Sequence, residues 1–207
     1  MMRLAKLGKP ALFVLCLTPL AWLVFDLVSD NLGANPIEAL VRGLGDWALR
    51  MLLAVLAITP LRQATGWGWI GRQRRMVGLF AFTYAVLHLF SYIGIDQFFD
   101  WRLIAAEIVK RRYILIGMTA FLMLAALAAT STNGSIRRLG GRRWKQLHRL
   151  VYLAAGLGVL HHLMMVKADT RLPLIEGAVL AFLLLWRAVP GLNLKARLNL
   201  KDRAPQA

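Results

Sequence analysis

The chain has 207 residues, of which 58% are hydrophobic and 17% charged, and it carries a formal net charge of +16. Soluble domains run to ~25% charged and ~45–50% apolar residues, so this composition excludes an ordinary soluble protein and indicates a helical integral membrane protein. At ~20 residues per bilayer crossing, the apolar content is enough for about six transmembrane helices.

Stretches nearly free of charge fall at about 10–28, 47–61, 76–95, 113–130, 150–166 and 172–190, followed by a polar tail over 191–207. Backbone groups in lipid must be satisfied within the segment, so runs of this length are helices. The first follows Arg3, Lys6 and Lys9, as a signal peptide would, but its core is long and Pro19 and Trp22 fit a membrane anchor. The second is short and carries Arg50 near its start. The whole reads as one all-α domain over residues 1–207, a six-transmembrane-helix bundle.

Lysine and arginine set its orientation. Seventeen lie in the N-terminus, 62–75, 131–145 and 187–203, against seven in 31–42, 102–112 and 167–171. Acidic residues are skewed the other way, with Asp30, Glu38, Asp46, Asp96, Asp100, Glu107 and Asp169 in the less basic loops. Both termini are therefore expected in the cytoplasm of a multi-pass inner-membrane protein. The positive charge is a topology signal, with anionic lipid headgroups as its counterpart. It lies between apolar runs rather than among stacking aromatics, which argues against nucleic-acid binding. Cys16 is the single cysteine, which excludes an internal disulfide, a cysteine-rich metal site and a C-x-x-C-H haem attachment.

All four histidines sit in or beside two of the runs: His88 in the third, and His148, His161 and His162 at and within the fifth. Ionisable residues at bilayer depth are functional candidates. At ~1.5 Å per residue, His88 lies ~18 Å into its helix and His161 ~19–20 Å beyond His148 in a helix running the same way. Two imidazoles at one level on two helices suit the two axial positions of a b-type haem. Helix-to-helix hydrogen bonding is the plainer alternative. Zinc or copper is disfavoured, because no carboxylate or thiolate lies nearby in the sequence. His162 competes with His161: a step of 14 residues returns near the same helix face, which pairs His148 with His162. Ala154, Ala155, Gly156 and Gly158 either admit a flat macrocycle or serve plain helix packing. At the cytoplasmic end, Arg74, Arg75, Arg142, Arg143 and Arg149 are candidates for a flavin phosphate or a haem propionate, with Trp144 available to stack on a flavin ring. Asp26 and Glu176 lie near outer helix ends, and no clearly paired buried carboxylate is evident; this weakens a histidine-relay transporter as the reading from another class.

Several strings are familiar. Met76-Val77-Gly78-Leu79, Leu87-His88-Leu89-Phe90-Ser91-Tyr92, Leu139-Gly140-Gly141-Arg142-Arg143-Trp144, Leu147-His148-Arg149-Leu150-Val151-Tyr152 and Leu160-His161 resemble the MsrQ (YedZ) family, as does Ile58-Thr59-Pro60-Leu61. That family is the haem-binding membrane subunit of a bacterial periplasmic methionine-sulfoxide reductase system, within the wider group of ferric-reductase and NADPH-oxidase membrane domains. The resemblance implies haem b, FMN, electrons drawn from the quinone pool, and delivery to a periplasmic molybdopterin-containing reductase. The chain would then be an electron-transfer subunit and no enzyme alone. Matched position by position, the family's histidines fall on His88, His148 and His161. The wider group holds two stacked haems with four histidines. Here Arg74 and Arg75 stand where the second third-helix ligand would be, which leaves His148 to hold a second haem weakly or to contact a flavin or quinone. Only seventeen residues follow Pro190, and no G-x-G-x-x-G follows a strand pattern, so the expected donor and catalyst are separate proteins.

Overall fold

The computed structural model describes residues 2–166 and 168–189; Lys167 and the expected polar tail lie outside the described residues. The described chain is all-helical, with no strand. Its elements are α1 (Met2–Val28), α2 (Pro36–Thr65), α3 (Gly68–Arg72), α4 (Arg74–Phe90) running into a π-helical turn over Ser91–Asp96, α5 (Trp101–Lys110), α6 (Arg112–Ala129), α7 (Asn133–Leu147), α8 (Leu150–Met165) and α9 (Arg171–Ala188).

Four segments are long and apolar enough to cross a membrane: 8–28, 36–65, 74–96 and 112–129. The apolar α8 is shorter at 16 residues. α9 has the length, but Arg171, Glu176 and Arg187 fall within its 18 residues. Large apolar side chains stand exposed along the helices, among them Phe13, Trp22 and Phe25 on α1, Leu122 on α6, and Phe182 and Leu185 on α9. Bare apolar surface of this extent suits lipid contact.

The expected second run, 47–61, is much shorter than the helix that forms. Pro36 opens α2 behind an Asn35 cap whose side chain accepts from the Glu38 amide, and Gly66 closes it in the left-handed region at φ 74°. Glu38, Arg42, Asp46 and Arg50 interrupt the apolar signal, yet they recur every four residues and so line one face. Arg42 pairs with Glu38, and Arg50 lies 3.6 Å from Asp46. The opposite face buries Leu40, Leu44, Ala48, Met51 and Val55, and with the further buried leucines Leu49, Leu52 and Leu56 this makes α2 the central helix of the core.

α2 packs chiefly on α4 and α6 chiefly on α8, so two helix pairs form the body of the bundle. α1 is tied to α4 by one side chain. Pro19 lacks an amide and disturbs the ladder of α1. Tyr84, 1% exposed, fits its hydroxyl between Cys16 and Leu20: it accepts from the Leu20 amide at 2.9 Å and donates to the Cys16 carbonyl at 2.9 Å. At the opposite side of the core, Arg187 of α9 donates to the Leu56 carbonyl at 2.6 Å and to Thr59 at 3.1 Å, with its guanidinium over Tyr152. A cation in an apolar helix is thereby satisfied within the bundle.

Candidate functional site

His88 of α4 and His161 of α8 face each other across the two helix pairs, with ring centres 6.3 Å apart and planes at 78°. The matching levels expected from helix rise are met. Two imidazoles bound to one metal from opposite sides, through nitrogens at ~2.0–2.1 Å, have ring centres roughly 6–6.5 Å apart. The two rings are held alike. His88 donates from Nδ1 to the Val41 carbonyl of α2 at 2.8 Å, and His161 donates from Nδ1 to the Tyr113 carbonyl of α6 at 2.7 Å. A carbonyl only accepts, so in each neutral ring Nδ1 carries the proton and Nε2 keeps its lone pair. A backbone partner on one ring nitrogen fixes tautomer and orientation for ligation by the other. The π-helical turn begins three residues after His88, where the Ser91 hydroxyl donates to the His88 carbonyl at 2.9 Å; π-turns are frequent at functional sites.

No group of three or more His, Cys, Asp or Glu side chains gathers in metal-binding arrangement among the described residues. Two imidazoles so placed, each with Nδ1 turned to a carbonyl, suit a metal whose remaining positions are filled by a macrocycle better than they suit a bare cation. That donor set fits a porphyrin iron.

His162 points elsewhere. It is buried, and its Nδ1 donates to Glu176 of α9 at 2.7 Å, while its Nε2 lies 3.6 Å from Asp46 of α2. Glu176 is 6% exposed, and its second oxygen, Oε1, faces Arg50 Nε at 3.7 Å. The expectation that no buried carboxylate is clearly paired is therefore corrected. α8 and α9 run antiparallel through a short connection, which brings residue 162, near the end of one, level with residue 176, near the start of the next. The signal available in the sequence was the single acidic residue of the last apolar run, placed symmetrically with His162 about that connection. His162, Asp46 and Arg42 also line a cavity of about 410 Å³ together with Met165, Asp169 and Leu172.

His148 adopts the opposite tautomer. The Thr130 hydroxyl donates to the Ala126 carbonyl at 2.7 Å and so accepts from His148 Nε2 at 3.1 Å. Trp144 stacks on the His148 ring at 3.9 Å and donates to the Thr130 carbonyl at 2.9 Å. Burial holds the His148 imidazole below its usual pKa range, so the ring is neutral at neutral pH. One face of Trp144 is thereby covered by this histidine. The candidate arginines divide. Arg74 donates to Thr59 at 3.1 Å and Arg75 to Asn133 at 2.9 Å, whereas Arg142, Arg143 and Arg149 are exposed and form no ion pair among the described residues.

Residues 44–159 match the family described as the ferric reductase like transmembrane component, a span that contains His88, His148, most of α2 and the whole of α4 and α6, and that ends two residues before His161. Among curated proteins, the chain is 59% identical over 188 residues to a protein-methionine-sulfoxide reductase heme-binding subunit MsrQ from Rhodospirillum rubrum, covering 91% of this chain and 90% of that one. It is 52% identical to the protein of the same name from Caulobacter vibrioides, over 85% of this chain and 84% of that one. With the counterpart from Azospira oryzae it shares 51% identity over 90% of this chain and 80% of that one. The chain belongs to the MsrQ family of ferric-reductase-like transmembrane proteins.

Proposed function

We propose that this chain is the haem b-carrying membrane subunit of a methionine-sulfoxide reductase system, an electron-transfer protein with no catalytic centre of its own. The opposed pair His88 and His161 carries the reading, supported by relatives named as heme-binding subunits. The bound haem would supply a one-electron iron couple. The chain's part is to present two neutral Nε2 atoms, to hold each ring through a backbone carbonyl, and to surround them with helices. In this reading six helices span the bacterial inner membrane as one domain with both termini cytoplasmic, α8 and α9 adding the last two crossings. The charge distribution supports that topology: seventeen basic residues on one side against seven on the other.

Electrons enter from the quinone pool or a flavin donor and leave to a periplasmic molybdopterin-containing reductase that repairs oxidised methionines. The family resemblance is what supports donor, FMN and acceptor. The exposed Arg142, Arg143 and Arg149 offer cytoplasmic-side charge to a flavin phosphate. His148 is the candidate for a second haem, and binding iron through Nε2 would require it to release Thr130.

A detergent-purified sample should show a strong Soret band and split α/β bands after dithionite. His88→Ala or His161→Ala should abolish most of that haem, whereas His162→Ala should leave it. A colourless, folded protein would refute the reading. It would favour a small histidine-relay transporter, for which the buried His162–Glu176 pair is the supporting observation.

A further inference from the structure

Both histidine rings lie against a glycine. A Cβ built at Gly45 of α2 would stand 3.1 Å from His88 Cε1 and 3.1 Å from its Nδ1. One built at Gly117 of α6 would stand 2.7 Å from His161 Nδ1 and 2.8 Å from its Cε1. The positions are related. The carbonyls that hold the rings belong to Val41 and Tyr113, each four residues before its glycine, so each is the carbonyl that the helical ladder pairs with that glycine's amide. A carbonyl in mid-ladder is normally screened on its outer side by the side chain one turn later. With hydrogen in that place, an imidazole from the neighbouring helix reaches the carbonyl's second lone pair. The same device occurs once in the α2–α4 pair and once in the α6–α8 pair.

We infer that Gly45 and Gly117 are positioning residues: each is a notch that admits the neighbouring imidazole to the carbonyl four residues earlier, setting the ring's tautomer and presenting Nε2 to the haem. The inference rests on His88 and His161 being the axial pair. It separates these two glycines from those that only ease helix packing. At Gly78, on the same helix as His88, a Cβ would meet Val55 at an ordinary 3.8 Å. The two notches also differ in tightness. At 117 the added methyl collides with ring atoms and the imidazole must leave the Tyr113 carbonyl; at 45 a displacement of a few tenths of an ångström is enough.

The test uses the purified holoprotein in detergent, with Gly117→Ala, Gly45→Ala and Gly78→Ala measured beside His88→Ala and His161→Ala. Readouts are haem per chain, haemin affinity, the low-spin electron paramagnetic resonance signal and the midpoint potential. Partners of this kind change metal affinity 10–100-fold, so Gly117→Ala should lower haemin affinity by about that factor. Gly45→Ala should keep its haem but show shifted g-values and a raised potential, because an imidazole that donates less strongly to a carbonyl is a poorer donor to ferric iron. Gly78→Ala should match the parent in all four. Parent-like g-values and potential in Gly45→Ala, with undiminished affinity in Gly117→Ala, would overturn the inference; if Gly117→Ala does not fold, Gly45→Ala decides alone. Equal losses in all three glycine variants, tracking thermal stability, would overturn it in favour of packing. Full haem in His88→Ala and His161→Ala would remove the ligand assignment itself and the notches with it.

Discussion

Replacing Glu176 by leucine removes the acceptor of a 2.7 Å bond from a histidine that is itself only 8% exposed. The damage goes beyond one bond. Arg50, 3.7 Å from Glu176, loses one of its two anionic neighbours, and His162 keeps only Asp46, at 3.6 Å and out of hydrogen-bond range. Removing one member of a buried, hydrogen-bonded ionisable pair costs about 3–5 kcal/mol, because the remaining polar group stays desolvated without a partner. For a chain of this size that corresponds to a fall in Tm of roughly 6–20 °C. Glu176→Gln keeps an acceptor for His162 Nδ1 and should fall by less than half as much. His162→Leu with Glu176→Leu removes both polar groups and should recover most of the loss, since apolar replacement of such a pair is often neutral. A double-mutant cycle followed by scanning fluorimetry in detergent measures the coupling. Additive single effects, with the double variant losing the sum of the two, would refute the pairing. Haem content supplies a second reading: if Glu176→Leu remains folded yet loses its haem as completely as His161→Ala, His162 is not the bystander that its geometry makes it.

Tyr84→Phe removes the hydroxyl shared by Leu20 and Cys16 and should destabilise the protein by about 1–3 kcal/mol, read as a lowered Tm with haem content unchanged. Arg187→Met frees the Leu56 carbonyl and Thr59 and should lower stability by about 1.5–3 kcal/mol in the same assay. Thr130→Val takes the acceptor from His148 Nε2; it should leave the low-spin haem signal intact and alter any spectral component that depends on His148. Because Cys16 is the sole cysteine and is buried, single cysteines report topology directly. In intact cells, Lys110→Cys should react with an impermeant maleimide and Arg138→Cys should not, and the reverse pattern would invert the proposed orientation.

Helix existence was legible wherever apolar residues ran long, because desolvation of the backbone leaves a lipid-embedded chain no other choice. Length was lost where charges intervened: Glu38, Arg42, Asp46 and Arg50 look like loop residues until their four-residue spacing is noticed. In sequence α5 and α7 look like charged connections, although Asp100 and Thr132 are ordinary caps, accepting from the Leu103 and Ser135 amides respectively. The common level of His88 and His161 followed from helix rise alone. Which of His161 and His162 turns toward His88 did not, because it depends on how α8 is rotated against α6 and α9, a tertiary quantity. The partnership with Glu176 was hidden for the same reason. Gly45 and Gly117 were hidden differently: in sequence, a glycine that admits a ring is identical to one that admits a helix.

The Tyr84 wedge bears on how the protein is made. α1 has one turn of its backbone completed by a hydroxyl that is 64 residues downstream. At ~5–20 residues per second of synthesis, that hydroxyl emerges roughly 3–13 s after Leu20. Until then the Leu20 amide, next to Pro19, lacks the hydroxyl that accepts from it in the folded chain. The final shape of α1 waits for α4, so the ribosome delivers the anchor first and its keystone several seconds later.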